Sequence, residues 1–491
     1  MAMNTGFKSQ CVPTYRILTQ NQINTIHYAT LELLETIGVK VMDAEAIDMM
    51  ADAGCRIKKD NIVRIPNYLV EECIRSAPSR ITLYNRMGEE AMLLEGNKTY
   101  FGMGTDLIKT WDVETGVLRD SRLSDVANAA RIADDLEEID FLGSYALPYD
   151  SPTNLMYIDS FKAQLENSTK PIFYTAAGME DIKIINDMAA AVMGGKKALR
   201  EKPIHIHYAE PLTPLLHSSG AIQKLFFCAD NAAPVNYTPG MMSGASAPVT
   251  LAGAVTVGNA EALSGVVLHQ LRAKGAPIIS GFGMSTLDMK TSTCSYGCPE
   301  YRLALSACCD LYHYYGIPMW GTAGASDSNC IDQQAGMEWA MSLLMAGLDG
   351  ANLVHDIAYM GQGLVGSPAA LVMNAEIISY VRRVIKGFDI DPEHIGMDVI
   401  REVGPQGAFI STGHTMKFFK QEHWQPRLCN RTNPDLWEKM GSKTWGDNAA
   451  QKAINILHNH KPEPLPEKIQ EALDAIRAGA LTDLDGKQFE A

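Results

Sequence analysis

From about residue 139 the chain repeats one short apolar run at nearly regular intervals, and five of the runs open with a proline: Pro171-Ile-Phe-Tyr, Pro203-Ile-His-Ile-His-Tyr, Pro234-Val-Asn-Tyr, Pro277-Ile-Ile-Ser-Gly-Phe and Pro318-Met-Trp-Gly. Proline is tolerated at the first residue of a strand, where its missing N–H removes no ladder bond. Phe141-Leu-Gly-Ser-Tyr, Ala351-Asn-Leu-Val-His-Asp and Ala408-Phe-Ile-Ser-Thr bring the runs to eight, with successive starts 30, 32, 31, 43, 41, 33 and 57 residues apart. The gaps carry helical spacing, as at Leu251, Val255, Leu263, Val267 and Leu271. Eight strand–helix units at this interval predict an α/β fold of the (β/α)8 TIM-barrel class. An open doubly wound sheet competes, although eight units exceed its usual count. The long last interval predicts an insertion.

The flanks differ from this repeat. Over residues 1–120 helical patterns at Gln22 to Ile37, Ala44 to Asp52 and after Pro66 give way to strand-like runs. The last of these, Leu107 to Asp120, holds Gly116 between two alternating arms, as in a hairpin. This region predicts an N-terminal α+β cap, residues 121–430 the barrel, and 431–491 a helical C-terminal extension with a Pro-rich joint at Lys461.

Charge and cysteine content narrow the function classes. The 491 residues carry 42 Lys+Arg against 57 Asp+Glu, a formal charge of −15, and no basic stripe that would follow a nucleic-acid backbone. The opening residues have no apolar signal core, and the most apolar stretch, Thr250 to Leu268, is interrupted by Asn259 and Glu261. A cytoplasmic protein with reduced thiols is expected, its ten cysteines far too sparse for a disulfide scaffold. Surplus apolar helices predict a homo-oligomer.

In a barrel of this kind the site lies at the C-terminal strand ends. Those ends read Tyr145, Tyr174, His207 and Tyr208 with Glu210, Tyr237, Phe282, Trp320, His355 with Asp356, Tyr359 and His414. Rings are abundant and lysine and arginine nearly absent, which disfavours phosphate ligands and suits a quaternary ammonium, whose diffuse charge is attracted to ring faces. Neighbours in a strand face opposite ways, so His355 and Asp356 are expected to part, His355 to the mouth and Asp356 to the loop. No GxGxxG, P-loop or GxSxG element is present. Cys294 and Cys298 lack the two further ligands a closed zinc site needs.

Several blocks resemble the trimethylamine methyltransferase (MttB-like) family: Gly244-Ala-Ser-Ala-Pro-Val-Thr-Leu-Ala-Gly running into Asn259-Ala-Glu-Ala-Leu-Ser-Gly, Gly321-Thr-Ala-Gly-Ala-Ser-Asp-Ser with Asp332-Gln-Gln-Ala-Gly, Gly350-Ala-Asn-Leu-Val-His-Asp-Ile-Ala-Tyr, and Thr412-Gly-His-Thr with His423-Trp-Gln-Pro-Arg. The resemblance spans about residues 95 to 430. It implies a (β/α)8 barrel that moves a methyl group from an amine to the cobalt of a partner corrinoid protein. Trimethylamine methyltransferases proper carry pyrrolysine, and all 491 letters here are standard. The chain is therefore similar to the branch of glycine betaine methyltransferases, which use quaternary amines. Likeness to that branch implies an enzyme with no tightly bound cofactor and no catalytic acid, base or metal. Cobalamin on the corrinoid partner is its methyl acceptor.

For the ammonium the expected contacts are Phe282, Trp320, His355 and Tyr359, with Tyr100 or Phe101 reaching in from the cap. Thr322, backbone N–H groups near Gly321 to Gly324, or His207 would hold a substrate carboxylate. Asp106, Glu210 and Asp327 are candidate counter-charges. Two other readings stay open at this point: a zinc-dependent methanol or thiol methyltransferase using Cys294 and Cys298, and a quaternary-amine binding protein without turnover.

Overall fold

A computed structural model describes residues 10–484. The first nine residues and the charged end after 484 lie outside the described residues, so the reading of the opening segment and of the tail has no structural counterpart.

Eight parallel segments organise the α/β fold. They are numbered along the chain: β1 Tyr100–Met103, β2 at 141–142, β3 Ile172–Tyr174, β4 His205–Ala209, β5 Val235–Tyr237, β6 Ile278–Ser280, β7 Trp320–Thr322 and β8 Leu353–Ile357. Ladders join β3 to β4, β4 to β5, β5 to β6 and β7 to β8. Parallel bridges Gly102↔Phe141, Leu142↔Ile172 and Ser280↔Met319 supply the remaining steps. β8 then pairs back onto β1 at Leu353↔Tyr100, so the pairings run in a circuit and every segment has a parallel neighbour on both sides.

Seven of the eight expected runs are members of this circuit. The run at Ala408 is not: it is an irregular, exposed stretch, with Ile410 82% accessible. Its place is taken by Tyr100–Met103, expected as a strand of the cap. The parallel circuit thus begins near residue 100 rather than after 120. The remaining cap follows expectation, with helices Gln20–Thr36, Ala44–Asp52 and Asn67–Ser76 and hairpins at Ile81–Tyr84/Glu90–Leu94 and Lys109–Trp111/Leu118–Asp120.

Residues facing the inside of the circuit form their own buried cluster. Phe141, Phe173, Ile206, Ile279, Trp320 and Leu353 meet Ile81, Leu83, Met92 and Leu94 of the first hairpin, which plugs the end where the strands start. Those ten side chains are shielded from water, each contributing about 1.5–3 kcal/mol of burial. Outward-facing residues pack instead against the helices. Among these, Leu251–Arg272 is the one helix of the described residues long and apolar enough to cross a membrane, and most of it is buried inside the protein. Beyond residue 430 the chain is helical as expected, Trp445–Asn459 packing on Pro368–Lys386 and Glu467–Asp483 on Met179–Met193.

Two strands outgrow the circuit on the opposite side. After β5 the chain continues as Gly240–Ser243, and after β6 as Gly283–Asp288, which turns back as Thr293–Ser295. The second continuation requires Gly281. Its φ is +148°, and a Cβ there would stand 2.8 Å from the Trp320 carbonyl oxygen. These three strands raise a rim over the strand ends.

Candidate active site

Under the rim, at the C-terminal strand ends, lies a cavity of about 420 Å³. That volume suits a small organic ligand. Tyr208 from β4, Trp320 from β7 and His355 from β8 line it as one wall. The Tyr208 ring stacks on Trp320 at 6.1 Å, and His355 stands 6.0 Å from Tyr208 and 6.1 Å from Trp320. Tyr359 extends the wall, 6.3 Å from His355. Tyr296 and Tyr301 face it, edge to face at 5.7 Å.

Tyr359 is held by a backbone slot. The Thr105 N–H donates to its hydroxyl at 2.5 Å, and the hydroxyl donates to the Thr105 carbonyl. The ring lies where the Cβ of residue 104 would be, so only glycine fits there. The Gly-Met-Gly-Thr sequence at 102–105 is thus a seat for an aromatic ring. Tyr296 is positioned by Asp327, whose carboxylate accepts its N–H at 2.8 Å and the Ser295 hydroxyl at 2.5 Å.

The charged groups lining the cavity are acidic. Glu210 opens onto it and accepts the Tyr208 hydroxyl at 2.9 Å; the surrounding protein raises its carboxyl above the usual range, chiefly by desolvation. Asp356 lines the cavity beside His355. The expectation that these neighbours part is corrected: a register shift between Val354 and Ile357 and a φ of +77° at Asp356 turn both side chains to the cavity. His355 Nδ1 lies 2.7 Å from Asp356 Oδ1, but off the line of a hydrogen bond, and neither ring nitrogen makes a hydrogen bond among the described residues. Trp320 Nε1 is likewise buried and unpaired. Among the described residues no lysine or arginine lines the cavity.

Of the residues singled out from the sequence, Tyr208, Glu210, Cys294, Trp320, His355, Asp356 and Tyr359 meet here. The others do not. Tyr100 sits at the plugged end, its hydroxyl accepting the Leu93 N–H at 3.0 Å, and Phe101 faces outward toward the helix at Gly347. His207 faces outward with Tyr174 and His205. Tyr237 bonds His217, its hydroxyl 2.8 Å from Nδ1. Phe282 packs on the helix at Gly258. Thr322 lines a neighbouring groove with Arg302, which donates to its carbonyl at 2.8 Å. Asp106 lies behind the wall, bracing strand ends through Ser144 at 3.1 Å and Thr175 at 3.0 Å. Asp327 acts through Tyr296. Tyr145 is buried outside the cavity, and His414 packs on Phe418.

Tyr296 and Tyr301 were not foreseen, because they come from the hairpin and the helix after β6 rather than from a strand end. Met241, Met242, Ser246 and Ser285, from the rim and its loops, line it too, together with Thr105. The cysteine pair gathers no metal site: Cys294 lines the cavity, Cys298 donates to Thr286 at 3.3 Å, and among the described residues no three His, Cys, Asp or Glu side chains converge.

The chain is similar to known proteins over nearly its whole length. The profile of a family described as trimethylamine methyltransferase (MTTB) matches residues 2–479. A trimethylamine methyltransferase MttB of Desulfitobacterium hafniense (strain DSM 10664 / DCB-2) is 33% identical over 93% of this chain and 92% of its own. A glycine betaine methyltransferase of D. hafniense (strain Y51) is 31% identical over 96% and 98%. Among solved structures, the monomethylamine methyltransferase MtmB of Methanosarcina barkeri superposes with a TM-score of 0.54 over 97% of this chain and 90% of that one, at 11% identity, a likeness of fold.

Proposed function

The chain belongs to the trimethylamine methyltransferase (MTTB) family and is a methyltransferase, and from that premise we propose that it moves a methyl group from a quaternary amine to the Co(I) of a corrinoid carried by a partner protein. The observation that carries this reading is the cavity: a wall of rings with Glu210 and Asp356 beside them and no cationic side chain. Rings and carboxylates attract a diffuse organic cation and repel none of it.

The chemistry asks little else of the protein. Co(I) supplies an electron pair to the methyl carbon, the C–N bond breaks, its pair stays on nitrogen, and the products are methyl-Co(III) and a neutral tertiary amine. A quaternary nitrogen leaves without protonation, so no acid, base or metal is needed. The work is orientation of one N–CH3 bond toward the mouth. Trp320, Tyr208, His355 and Tyr359 do this by surrounding the remaining substituents, each ring fixed by packing or by its hydroxyl. The circuit of parallel segments, read with the likeness to MtmB, supports a (β/α)8 barrel beginning at Tyr100 with the earlier residues as its cap. A cytoplasmic location and association of like subunits go with this reading.

Mixing the full-length protein with Co(I) cobalamin and a panel of methylated amines tests it, with methyl-Co(III) followed by absorbance. Transfer from quaternary amines is expected. Transfer from methanol or methylthiols with none from any quaternary amine would overturn it.

A further inference from the structure

We propose that the substrate is a net cation without a carboxylate, a quaternary ammonium whose far end is a neutral alcohol. This rests on the reading that the site takes a quaternary amine, and it narrows that class by what the walls offer the other end of the molecule. A betaine needs donors for its carboxylate; no cationic one lines the cavity, each group put forward from the sequence is elsewhere or engaged, and what remains in the lining is neutral hydroxyls such as Ser246, Tyr296 and Tyr301. His207 faces away from the cavity and Thr322 lines a different groove. The Ala323 N–H donates to the His355 carbonyl at 3.0 Å, and the Gly324 N–H to the Ser342 hydroxyl at 3.0 Å. Arg302, which lines that neighbouring groove, is spent on the Thr322 carbonyl and on Asp349 at 2.6 Å.

What the cavity does offer fits an alcohol. Glu210 receives the Tyr208 hydroxyl on Oε2, and its Oε1 makes no hydrogen bond among the described residues, free to accept an O–H. The rings of Trp320 and His355 stand in the same walls, their nitrogens buried behind the ring faces and His355 Nδ1 2.7 Å from Asp356 Oδ1, so this wall presents rings rather than cationic donors to the far end of the ligand. A carboxylate placed there would share about 420 Å³ with Glu210 and Asp356, with Asp106 behind the wall, while Lys224, the lysine that also acts on Glu210, lies outside the lining and donates to the Ala176 carbonyl at 3.0 Å. Like charges placed together in this way discriminate strongly against a partner.

Calorimetric titration of the full chain with choline, tetramethylammonium and glycine betaine reads this directly, and methyl transfer to Co(I) cobalamin is measured in parallel. Choline is expected to bind on the order of ten-fold or more tighter than glycine betaine. Glu210→Gln, on the cavity surface, is expected to keep the fold by circular dichroism and shrink that preference to about three-fold or less; Asp356→Asn shifts it the same way. Glycine betaine binding as tightly as choline, or a preference unmoved in both variants, would refute the inference. Methyl transfer from glycine betaine but not from choline would refute it while upholding the function. Transfer from no quaternary amine would remove the function and the inference with it.

Discussion

Gly104→Ala probes the wall of the cavity by displacing one of its rings while every side chain that meets a ligand keeps its identity. An added Cβ would fall within the Tyr359 ring and 2.6 Å from its hydroxyl oxygen. The nearest ring carbon would be 1.8 Å away, so to reach ordinary contact at about 3.5–4 Å the ring must withdraw by roughly 2 Å. The hydroxyl opposes that motion, since both of its hydrogen bonds go to the fixed backbone of Thr105. Overpacking of this kind costs about 1–3 kcal/mol, and loss of the hydroxyl bonds about 1 kcal/mol more. For a chain of this length a cost near 3 kcal/mol lowers Tm by about 3 °C. Tetramethylammonium affinity should fall about three- to ten-fold as one ring leaves the cation. The decisive assay is a double-mutant cycle by denaturant unfolding with Tyr359→Ala. That change alone costs about 3–5 kcal/mol, and the pair should cost about 1–3 kcal/mol less than the sum, because the alanine at 104 then fills vacated space. A Gly104→Ala protein with parental Tm and parental affinity, or strict additivity in the cycle, would refute the ring seat.

Three further outcomes are expected from the same geometry. Cation affinity should decline on acidification, by at most about ten-fold per pH unit, and from a higher pH than an ordinary glutamate gives, because the surrounding protein partly desolvates the Glu210 carboxyl at the cavity surface and raises it; a flat profile in the parent, or an unchanged slope in Glu210→Gln, contradicts this. Glu261 is fully buried in the helix Leu251–Arg272, and burial pushes its carboxyl from 4.5 up to about 7. The native state therefore holds its proton more tightly than the unfolded chain, so this contribution is complete below pH 4.5 and is lost as pH rises through about 7. Glu261→Gln should reduce the stability difference between pH 5 and pH 8 by about 3 kcal/mol, measured by urea unfolding at both values. Trp320→Leu should weaken tetramethylammonium binding by about ten-fold and also lower stability by about 2–4 kcal/mol, since the ring lies in the buried inner cluster as well as in the cavity; affinity equal to the parent would place the cation elsewhere.

The fold was legible where its signal was local. Each proline-led run begins a strand because the missing N–H can be placed only there, and all five are strands of the circuit. The first strand was hidden because Tyr100–Met103 stands before the repeat begins, among hairpin strands of similar composition. Ala408-Phe-Ile-Ser-Thr misled because apolarity alone does not pair a strand: it is exposed, and among the described residues no strand pairs with it. Side-chain direction was harder. Strands buried on both faces show no alternation, so His207 was favoured over Tyr208 in a His-Ile-His-Tyr run where the inward residues are Ile206 and Tyr208. Left-handed residues reset the parity twice, at Gly281 before Phe282 and at Asp356 after His355, and neither conformation is written in residue type alone. Tyr296 and Tyr301 enter from the rim hairpin and its following helix, where no period announces them.

The lock between Tyr359 and Thr105 joins residues 254 apart in sequence. A nascent chain emerging from the ribosome therefore carries one half of the pocket wall for most of its synthesis before the other half exists. Competence to bind should appear as a single late event in translation, and any product cut short before Tyr359 would be empty-handed however well its earlier helices had formed.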